Sequence, residues 1–323
     1  MVGAGYQPGQ PAPNRRSRAP PPVRYDSAVE GTKGAAAGGR GSGPVLVSQL
    51  CRYETLVSPA FLAWSDRIRP VWDPDGTDPK PYIVHRKMWE WLFICEALGQ
   101  RKMLRPGRHG IGFGVGAEPL IALFAGLGCT VLATDQAPEQ AVASGWARDG
   151  GEYAGALEGL QQPGLCDPDL LAARVSYRDV DMNDIPADLR GFDFSWSSCS
   201  FEHLGTIEAG LDFVVNQMDC LAPGGVAVHT TEFNASSDDE TVESGPTVLY
   251  RRRDIEALVN RLRREGYRIY CDFTSGELPA DRHVDVPPYT DTHLRTTYDR
   301  FEATSIGLVV EKPRRFGLGL RRR

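Results

Sequence analysis

The sequence lacks the cysteine patterns that mark two common classes of small protein. It has no Cys-x-x-Cys pair and no zinc-finger spacing, and its seven cysteines are an odd number. Four of them, Cys95, Cys129, Cys220 and Cys271, lie in apolar runs, where cysteine behaves as a small buried hydrophobic residue. These features exclude a disulfide scaffold and a cysteine-based metal module, and they indicate a reducing compartment.

Long apolar runs are also missing. No stretch approaches the roughly 20 apolar residues that a membrane-spanning helix needs, and the N-terminus has no signal-peptide core. There is no internal repeat. We therefore expect a cytoplasmic protein with no membrane span.

Residues 1–44 are poor in aromatic residues and contain 9 glycines and 7 prolines. A segment of this composition cannot bury enough apolar surface to offset the entropy lost on ordering. It also carries six basic residues against two acidic ones. We predict that residues 1–44 form a disordered basic tail.

The charge is distributed unevenly along the chain. The whole chain has a net charge of −6, whereas residues 1–44 carry +4 and residues 311–323 carry +5, so residues 45–310 carry −15. An acidic body of this kind disfavours an extended groove for nucleic acid.

The most informative stretch begins with four glycines at alternate positions, Gly110, Gly112, Gly114 and Gly116. Glycine permits sharp turns and lets a ligand approach the backbone closely. An apolar helical stripe follows, with Glu118 and Pro119 predicted in the first helical turn, and a second apolar run ends at Asp135. This strand, glycine turn, helix, strand and acid pattern predicts a nucleoside site, with the carboxylate directed at ribose hydroxyls.

The glycine turn alone fits two kinds of nucleoside site. Gly112, Gly114 and Ala117 match the dinucleotide fingerprint, in which a pyrophosphate rests on the helix N-terminus. Gly112, Gly114 and Gly116 equally match the loop of class I S-adenosylmethionine (SAM)-dependent methyltransferases. Glu118 argues mildly against a pyrophosphate, because one anion repels another.

Three segments further along resemble the class I methyltransferases in the order that this family uses. Residues 178–186 resemble its acidic turn, which carries over to Asp181 and Met182 as adenine contacts. Residues 192–198 resemble its fourth strand, which ends near the cofactor and the acceptor. Residues 221–228 resemble its Pro-Gly-Gly turn and fifth strand.

This resemblance implies an α/β fold, with a doubly wound, mostly parallel sheet of seven strands whose last strand is antiparallel. It implies SAM as the cofactor, at the carboxyl ends of the first, second and fourth strands. The implied cofactor residues are Gly112, Gly114, Gly116, Glu118, Asp135, Gln136, Asp181, Met182, Ser197 and Ser198.

One position departs from the family pattern. The family has an acid two residues before the first glycine of the loop, and Gly110 occupies that position here. Glu118 is the nearest replacement, although a residue that only stabilises the helix dipole is an equally good interpretation of it.

The predicted organisation follows from the resemblance. A helical extension at 45–105, with a helix at 82–98, precedes a SAM-binding domain at 106–311, which has an insertion at 275–300 and is followed by a basic tail at 312–323. The later strands are predicted at 175–180, 192–198, 226–231, 267–273 and 303–310, and the later helices at 206–221 and 253–265.

Candidate acceptor-side residues follow the fourth and fifth strands. His203 is the first candidate for a general base, with His229 as the second. The alternative interpretations are a helix-start residue hydrogen-bonded to the backbone for His203 and a core residue of a central strand for His229. Glu202 and His203 resemble a Glu-His pair at which some methyltransferases bind a metal. Those enzymes have a Glu where this chain has Cys199, so no metal is predicted. The polar insertion at 275–300 is a further candidate for acceptor recognition.

The predicted function is methyl transfer from SAM to a small-molecule or glycan hydroxyl. Two alternatives remain open at this point. One is a non-catalytic protein that binds SAM, and the other is an NAD(P)-dependent oxidoreductase.

Overall fold

The computed structural model describes residues 45–144, 153–162 and 164–314. Within these ranges the strands are β1 Ser48–Leu50, β2 Val84–His85, β3 His109–Phe113, β4 Thr130–Asp135, β5 Val175–Asp179, β6 Phe192–Ser198, β7 Leu221–Asn234, β8 Cys271–Asp272, β9 Thr292–His293, β10 Thr296–Tyr298 and β11 Phe301–Glu311. The helices are α1 Tyr53–Leu56, α2 Pro59–Trp72, α3 Arg86–Gln100, α4 Leu120–Gly126, α5 Pro138–Ser144, α6 Pro168–Arg174, α7 Ile207–Asn216, α8 Arg252–Arg264 and α9 Pro279–Arg282. The predicted tail at 1–44 and most of the one at 312–323 lie outside the described residues.

One large sheet organises the molecule, in the order β5-β4-β3-β6-β7-β11-β1-β8. The first five strands are parallel, and β11 is antiparallel to β7 over a nine-residue register. One hydrophobic core lies against each face: one includes residues of α3, α4 and α6, and the other includes residues of α7 and α8. The predicted doubly wound, mostly parallel sheet with an antiparallel last strand is confirmed.

The strand count differs from the prediction, because the sheet of the described chain has nine strands and not seven. One additional strand, β10, forms a hairpin with β11. The other, β1, comes from the N-terminal region and lies between β11 and β8. Arg268 still pairs directly with Glu311, but beyond this bridge β1 separates the two segments, and the strand predicted at 267–273 is reduced to Cys271–Asp272.

The N-terminal region is built into the body of the molecule. The helix predicted at 82–98 is α3, and it begins later because His85 caps it through a bond from the Lys87 N–H to its Nδ1. Its buried surface is broad, since Trp89, Phe93 and Ile94 are all fully buried. The helix packs against α2 as well as against β7 and β11, which explains the broad burial.

The helix after the glycine turn begins at Leu120, with Pro119 as its N-cap. The prediction that Glu118 and Pro119 form its first turn is therefore wrong. Glu118 precedes the helix and belongs to the turn. Residues 114–119 form bends and turns between β3 and the helix, so helical geometry begins only at Leu120.

No helix in the described ranges combines the length and apolar character needed to cross a bilayer.

Candidate functional site

A cavity of about 370 Å³ lies at the carboxyl ends of β3, β4, β5 and β6. This is the edge of the sheet at which open α/β folds bind ligands. The residues that line it are Gly114, Val115, Gly116, Glu118, Asp135, Gln136, Gln140, Tyr153, Val180, Asp181, Met182, Asn183, Ser198, Cys199, Ser200, His203 and Leu204.

The glycine turn forms one wall of the cavity, and glycine is required there for two reasons. Gly114 has φ +56°, a backbone conformation that is strained for other residues. A β-carbon at this position would also lie 2.8 Å from Cβ of Ser200 and 3.3 Å from Sδ of Met182. The Ser200 hydroxyl donates to the Gly114 carbonyl at 2.9 Å, which ties the turn to the chain that follows β6.

Asp135, at the end of β4, fixes the glycine turn through a hydrogen bond to its backbone. Its carboxylate accepts hydrogen bonds from the backbone N–H of Gly116 at 3.0 Å and of Gln136 at 2.8 Å. Burial raises the pKa of Asp135, although these two hydrogen bonds oppose the rise. Each carboxylate oxygen retains a lone pair, so the side chain can accept hydrogen bonds from a ligand as well.

The turn after β5 forms the opposite wall. Val180 donates its N–H to the carbonyl of Asp135 at 2.8 Å, which brings this turn beside the end of β4. The Asp181 carboxylate accepts from the N–H of Asn183 at 2.8 Å and is otherwise exposed. Met182, which is nearly buried, lies between this wall and Gly114.

Two residues predicted to bind the cofactor do not line the cavity. Gly112 is in β3, and a β-carbon there would lie 2.6 Å from both the Trp196 ring and Val115. Glycine at this position therefore lets these two side chains pack against β3, and it does not line the cavity. Ser197 is fully buried and shares a 2.8 Å hydrogen bond with Nδ1 of His229. Ser198 does line the cavity, and its hydroxyl has no hydrogen-bond partner among the described residues.

The absence of an acid at Gly110 also has a packing explanation. A β-carbon on Gly110 would lie 2.3 Å from the ring of Phe194, so no carboxylate fits there. Glu118 lines the cavity instead, and the Lys87 ammonium of α3 lies 3.6 Å from its carboxylate.

His203 lies at the rim of the cavity, in a short 3-10 turn after β6. Its Nδ1 lies 2.8 Å from the carbonyl of Pro246, and because a carbonyl only accepts, Nδ1 carries the hydrogen. In the neutral ring, Nε2 is then the basic nitrogen. That atom lies 4.0 Å from Oε1 of Glu202.

Glu202 does not line the cavity but is completely buried behind it. The Thr231 hydroxyl donates to Oε2 at 2.9 Å, and Oε1 has no hydrogen-bond partner in the part of the chain that the structure describes. Burial raises the pKa of the Glu202 carboxyl to about 7. This carboxyl therefore changes its charge near neutral pH.

His229 is less well placed for chemistry. It is fully buried in β7, makes edge contacts with the rings of Phe201 and Phe213, and is not part of the cavity lining. Burial lowers its pKa to about 3, so the ring is neutral at physiological pH. These contacts are those of a core residue.

Glu202 belongs to a larger buried group of charges at the end of β7. Arg86 forms an ion pair with Glu232, and Lys87 lies 3.3 Å from Glu90. Burial works against ionisation of Glu90, but Lys87, Arg86 and the side-chain hydrogen bonds from Ser305 and Cys199 together lower the pKa of that carboxyl. Burial raises the pKa of Glu232, with Arg86 acting in the opposite direction.

Cys199 lies close to two carboxylates with which it could bind a metal ion. Its thiol and the carboxylates of Glu202 and Glu232 have ligand atoms within 4.8 Å of one another. Cys199 thus occupies a potential ligand position even though it replaces the expected Glu. Arg86 already supplies positive charge to this group through Glu232. The absence of a metal stays a prediction.

The buried Glu202 carboxyl should make the stability of the protein depend on pH. Its folded-state pKa of about 7 lies above the ordinary value of 4.5, so the folded protein loses stability as the pH rises from 4.5 to 7. The shift corresponds to about 3 kcal/mol. We expect Glu202→Gln to raise the melting temperature by several degrees at pH 8 and to have no effect near pH 4.

Thermal melts of both proteins across this pH range measure the effect. Glu208→Gln is the matched control, because Glu208 is exposed on α7 and its replacement should leave the pH dependence unchanged. Destabilisation by Glu202→Gln that is larger at pH 8 than near pH 4 would mean that the ionised carboxylate stabilises the fold, contrary to this prediction.

Sequence reasoning missed several residues of the cavity. Ser200 was overlooked because nothing in the sequence indicates that its hydroxyl reaches back 86 residues to Gly114. Tyr153, whose hydroxyl donates to the Gln136 carbonyl at 3.1 Å, lies in a glycine-rich segment without periodicity. The insertion at 275–300 does not line this cavity. It packs against the N-terminal region, where His293 stacks on His85 at 4.6 Å.

No family model matches this chain, and no curated protein matches it. Among solved structures, a SAM-dependent methyltransferase from Aquifex aeolicus is 16% identical over 75% of this chain and 98% of its own, with a TM-score of 0.39. The 1,6-didemethyltoxoflavin-N1-methyltransferase of Burkholderia thailandensis, solved with S-adenosylhomocysteine, is 16% identical over 80% and 92%, with a TM-score of 0.39.

A third matched structure is a SAM-dependent methyltransferase from Clostridium acetobutylicum. It is 14% identical over 78% of this chain and 98% of its own, with a TM-score of 0.39. These three proteins are all SAM-dependent methyltransferases, but the identities and TM-scores are too low to assign this chain to a family.

Proposed function

We propose that this protein is a SAM-dependent methyltransferase that acts on a small-molecule acceptor. The observation that carries the proposal is the charge of the cavity. Three of the described residues that line it are carboxylic acids, namely Glu118, Asp135 and Asp181, and none is a lysine or arginine. SAM has a sulfonium cation and an ammonium group and no phosphate, so an acidic cavity suits it.

In this proposal, the walls of the cavity would supply a contact for each part of SAM. Asp135 would accept from the ribose hydroxyls, and Asp181 would accept from the adenine amino group beside Met182. The glycine turn at Gly114 and Gly116 would lie against the ligand through its backbone. Glu118 would attract the ammonium group, because the space at Gly110 that the family uses for this purpose is filled by Phe194.

The same charge argues against a dinucleotide. A pyrophosphate is bound by backbone N–H groups at a helix N-terminus, usually with no anion nearby. Here the segment that leads into α4 contains Glu118, whose carboxylate would repel it. The NAD(P) alternative is therefore the weaker one.

Transfer of the methyl group requires an acceptor atom in line with the sulfonium, and SAM supplies the electrophilic methyl. We favour a hydroxyl acceptor whose proton passes to Nε2 of His203, the rim residue of the cavity. The Nδ1 hydrogen bond to Pro246 fixes the ring, and Glu202 at 4.0 Å offsets the charge of the imidazolium that forms. Glu202 is then a positioning residue, because it does not reach the cavity.

Three measurements test the proposal. Mass spectrometry of the purified protein should detect bound SAM or S-adenosylhomocysteine, and calorimetry should show binding of SAM but not of NAD. A screen with SAM that carries a labelled methyl group should then identify an acceptor. Binding of NAD in preference to SAM would overturn the proposal. SAM binding with no acceptor in a broad screen would favour the non-catalytic alternative.

Asp135→Ala should weaken SAM binding by roughly ten- to a hundredfold, or about 1–3 kcal/mol. The replacement removes the proposed acceptor of the ribose hydroxyls and also leaves the Gly116 N–H without its carboxylate partner. Calorimetry with SAM measures the loss.

The matched control is Asp179→Ala. Asp179 is the register partner of Asp135 on β5, but it is exposed and does not line the cavity. Its loss should leave SAM affinity unchanged. Unchanged affinity in a folded Asp135→Ala protein would remove Asp135 from the site.

A further inference from the structure

A second cavity, of about 500 Å³, lies at the opposite edge of the sheet, where the parallel strands begin. Its walls come from residues 101–108 before β3, from the start of β6, from the turn at 223–224 and from residues 311–314. The cavity proposed for SAM is at the carboxyl ends of the same strands, so the two sites are separate.

The lining of this second cavity, called here the basic pocket, is rich in positive charge. It contains seven cationic side chains against two acidic ones, Asp193 and Glu311. The cations are Arg101, Lys102, Arg105, Arg108, Arg268, Lys312 and Arg314. This concentration contrasts with the net charge of −15 on residues 45–310.

Both acids of the basic pocket already have cationic partners. Arg101 lies 2.8 Å from the carboxylate of Glu311, and Arg108 forms an ion pair with Asp193. A net excess of five positive charges remains. Four side chains, those of Lys102, Arg105, Arg268 and Arg314, have no hydrogen bond or ion pair with any other described residue.

Backbone hydrogen bonds fix the main chain at two of the cationic positions, Lys312 and Arg268. The N–H of Gly224 donates to the carbonyl of Lys312 at 2.8 Å, and Lys312 donates back to Gly225 at 2.9 Å. Arg268 and Glu311 exchange two backbone hydrogen bonds of 2.9 Å. A preformed wall of this kind reduces the ordering cost of binding.

Glycine at position 224 also contributes directly to the wall. A β-carbon there would lie 2.9 Å from Cγ of Arg314, so the missing side chain lets that arginine pack against the turn. Gly224 has φ +89°, which favours glycine as well. The Pro-Gly-Gly segment, which lies near the start of β7, thus also shapes the basic pocket.

We propose that the basic pocket binds a compact anion that carries two or more phosphate groups. Five guanidinium groups line it, and guanidinium binds phosphate oxygens in pairs. A long polyanion such as nucleic acid would extend beyond the pocket onto an acidic body and be repelled.

Calorimetry of the full-length protein with inorganic tripolyphosphate tests the proposal. We expect binding that is tighter than that of orthophosphate and that weakens as salt is added, because salt screens exposed charges. The double variant Arg105→Gln/Arg268→Gln should weaken tripolyphosphate binding by about tenfold or more, since it removes two unpaired cations.

The matched control is Lys80→Gln/Arg282→Gln, which removes two exposed cations that do not line the pocket. It should bind tripolyphosphate like the wild type, and both variants should bind S-adenosylhomocysteine equally, as a check on folding. Equal losses in the two variants, or no binding by the wild type, would overturn the proposal. Tight binding of an oligonucleotide or of anionic vesicles without binding of tripolyphosphate would also overturn it.

Discussion

Gly114→Val should abolish measurable SAM binding, with a loss of more than about a hundredfold in affinity, or ~2.7 kcal/mol. Two effects combine at this position. A valine at φ +56° is strained by about 1–3 kcal/mol, and its β-carbon would meet Ser200 at 2.8 Å. The two methyl groups beyond that carbon have no space left except the cavity. Calorimetry with SAM on the folded variant measures the loss.

Gly76→Val separates the two effects. Gly76 has a similar φ of +64°, but a β-carbon there would have no heavy atom within 4 Å. This control should lose some stability from backbone strain and keep full SAM affinity. SAM affinity of the wild-type level in Gly114→Val would mean that the glycine turn does not border the ligand.

His203→Ala should lower the turnover number by about 10²–10⁴-fold while SAM still binds. A hydroxyl is a poor nucleophile until its proton is removed, and His203 is the only imidazole that lines the cavity among the described residues. The supporting carboxyl of Glu202 has a pKa of about 7, and it becomes neutral at lower pH. Turnover should therefore fall as the pH drops below about 7. Steady-state rates across pH measure both effects.

Two further variants distinguish a general base at His203 from a structural role and from a base at His229. His203→Asn retains an N–H that can donate to the Pro246 carbonyl but has no basic nitrogen, so it should be as slow as His203→Ala. If it restores activity, His203 only positions the chain. His229→Ala should reduce stability and have little effect on the turnover number of the folded protein. Loss of turnover in His229→Ala alone would place the base on β7, contrary to our assignment.

The parallel core of the sheet could be predicted because each strand carries its own signal. The run before Asp135 and the alternation from Val175 are local patterns, and both segments form the strands that these patterns indicate. The antiparallel direction of β11 came from the family resemblance and not from its own residues. The nearly complete burial of α3 could not be predicted, because it depends on α2 and on strands more than 100 residues away.

Some residues of the candidate site could likewise be predicted from a local motif, whereas others depend on tertiary contacts. Gly114, Gly116 and Asp135 were recognisable because a turn and an acid at fixed spacing form a short motif. Gly112 belongs to the same motif, yet its β-carbon position is blocked by Trp196, a contact that no spacing reveals. Burial of Glu202 and His229 is likewise a tertiary property. For this reason the sequence alone could not distinguish a rim residue such as His203 from one in the core.

Strand β1 has a consequence for how the protein folds. Its residues Ser48–Leu50 pair with Cys271–Asp272 on one side and with Gly307 and Ile306 on the other, more than 220 positions away along the chain. A ribosome therefore releases this segment long before either partner exists, and its backbone groups stay unpaired in the sheet until residues 271–307 have been made. Closure of such distant contacts is slow, and an unpaired strand edge is prone to misassembly meanwhile. Any shortened chain that lacks β11 would leave β1 without this neighbour in the sheet, so the pairing of β1 depends on β11.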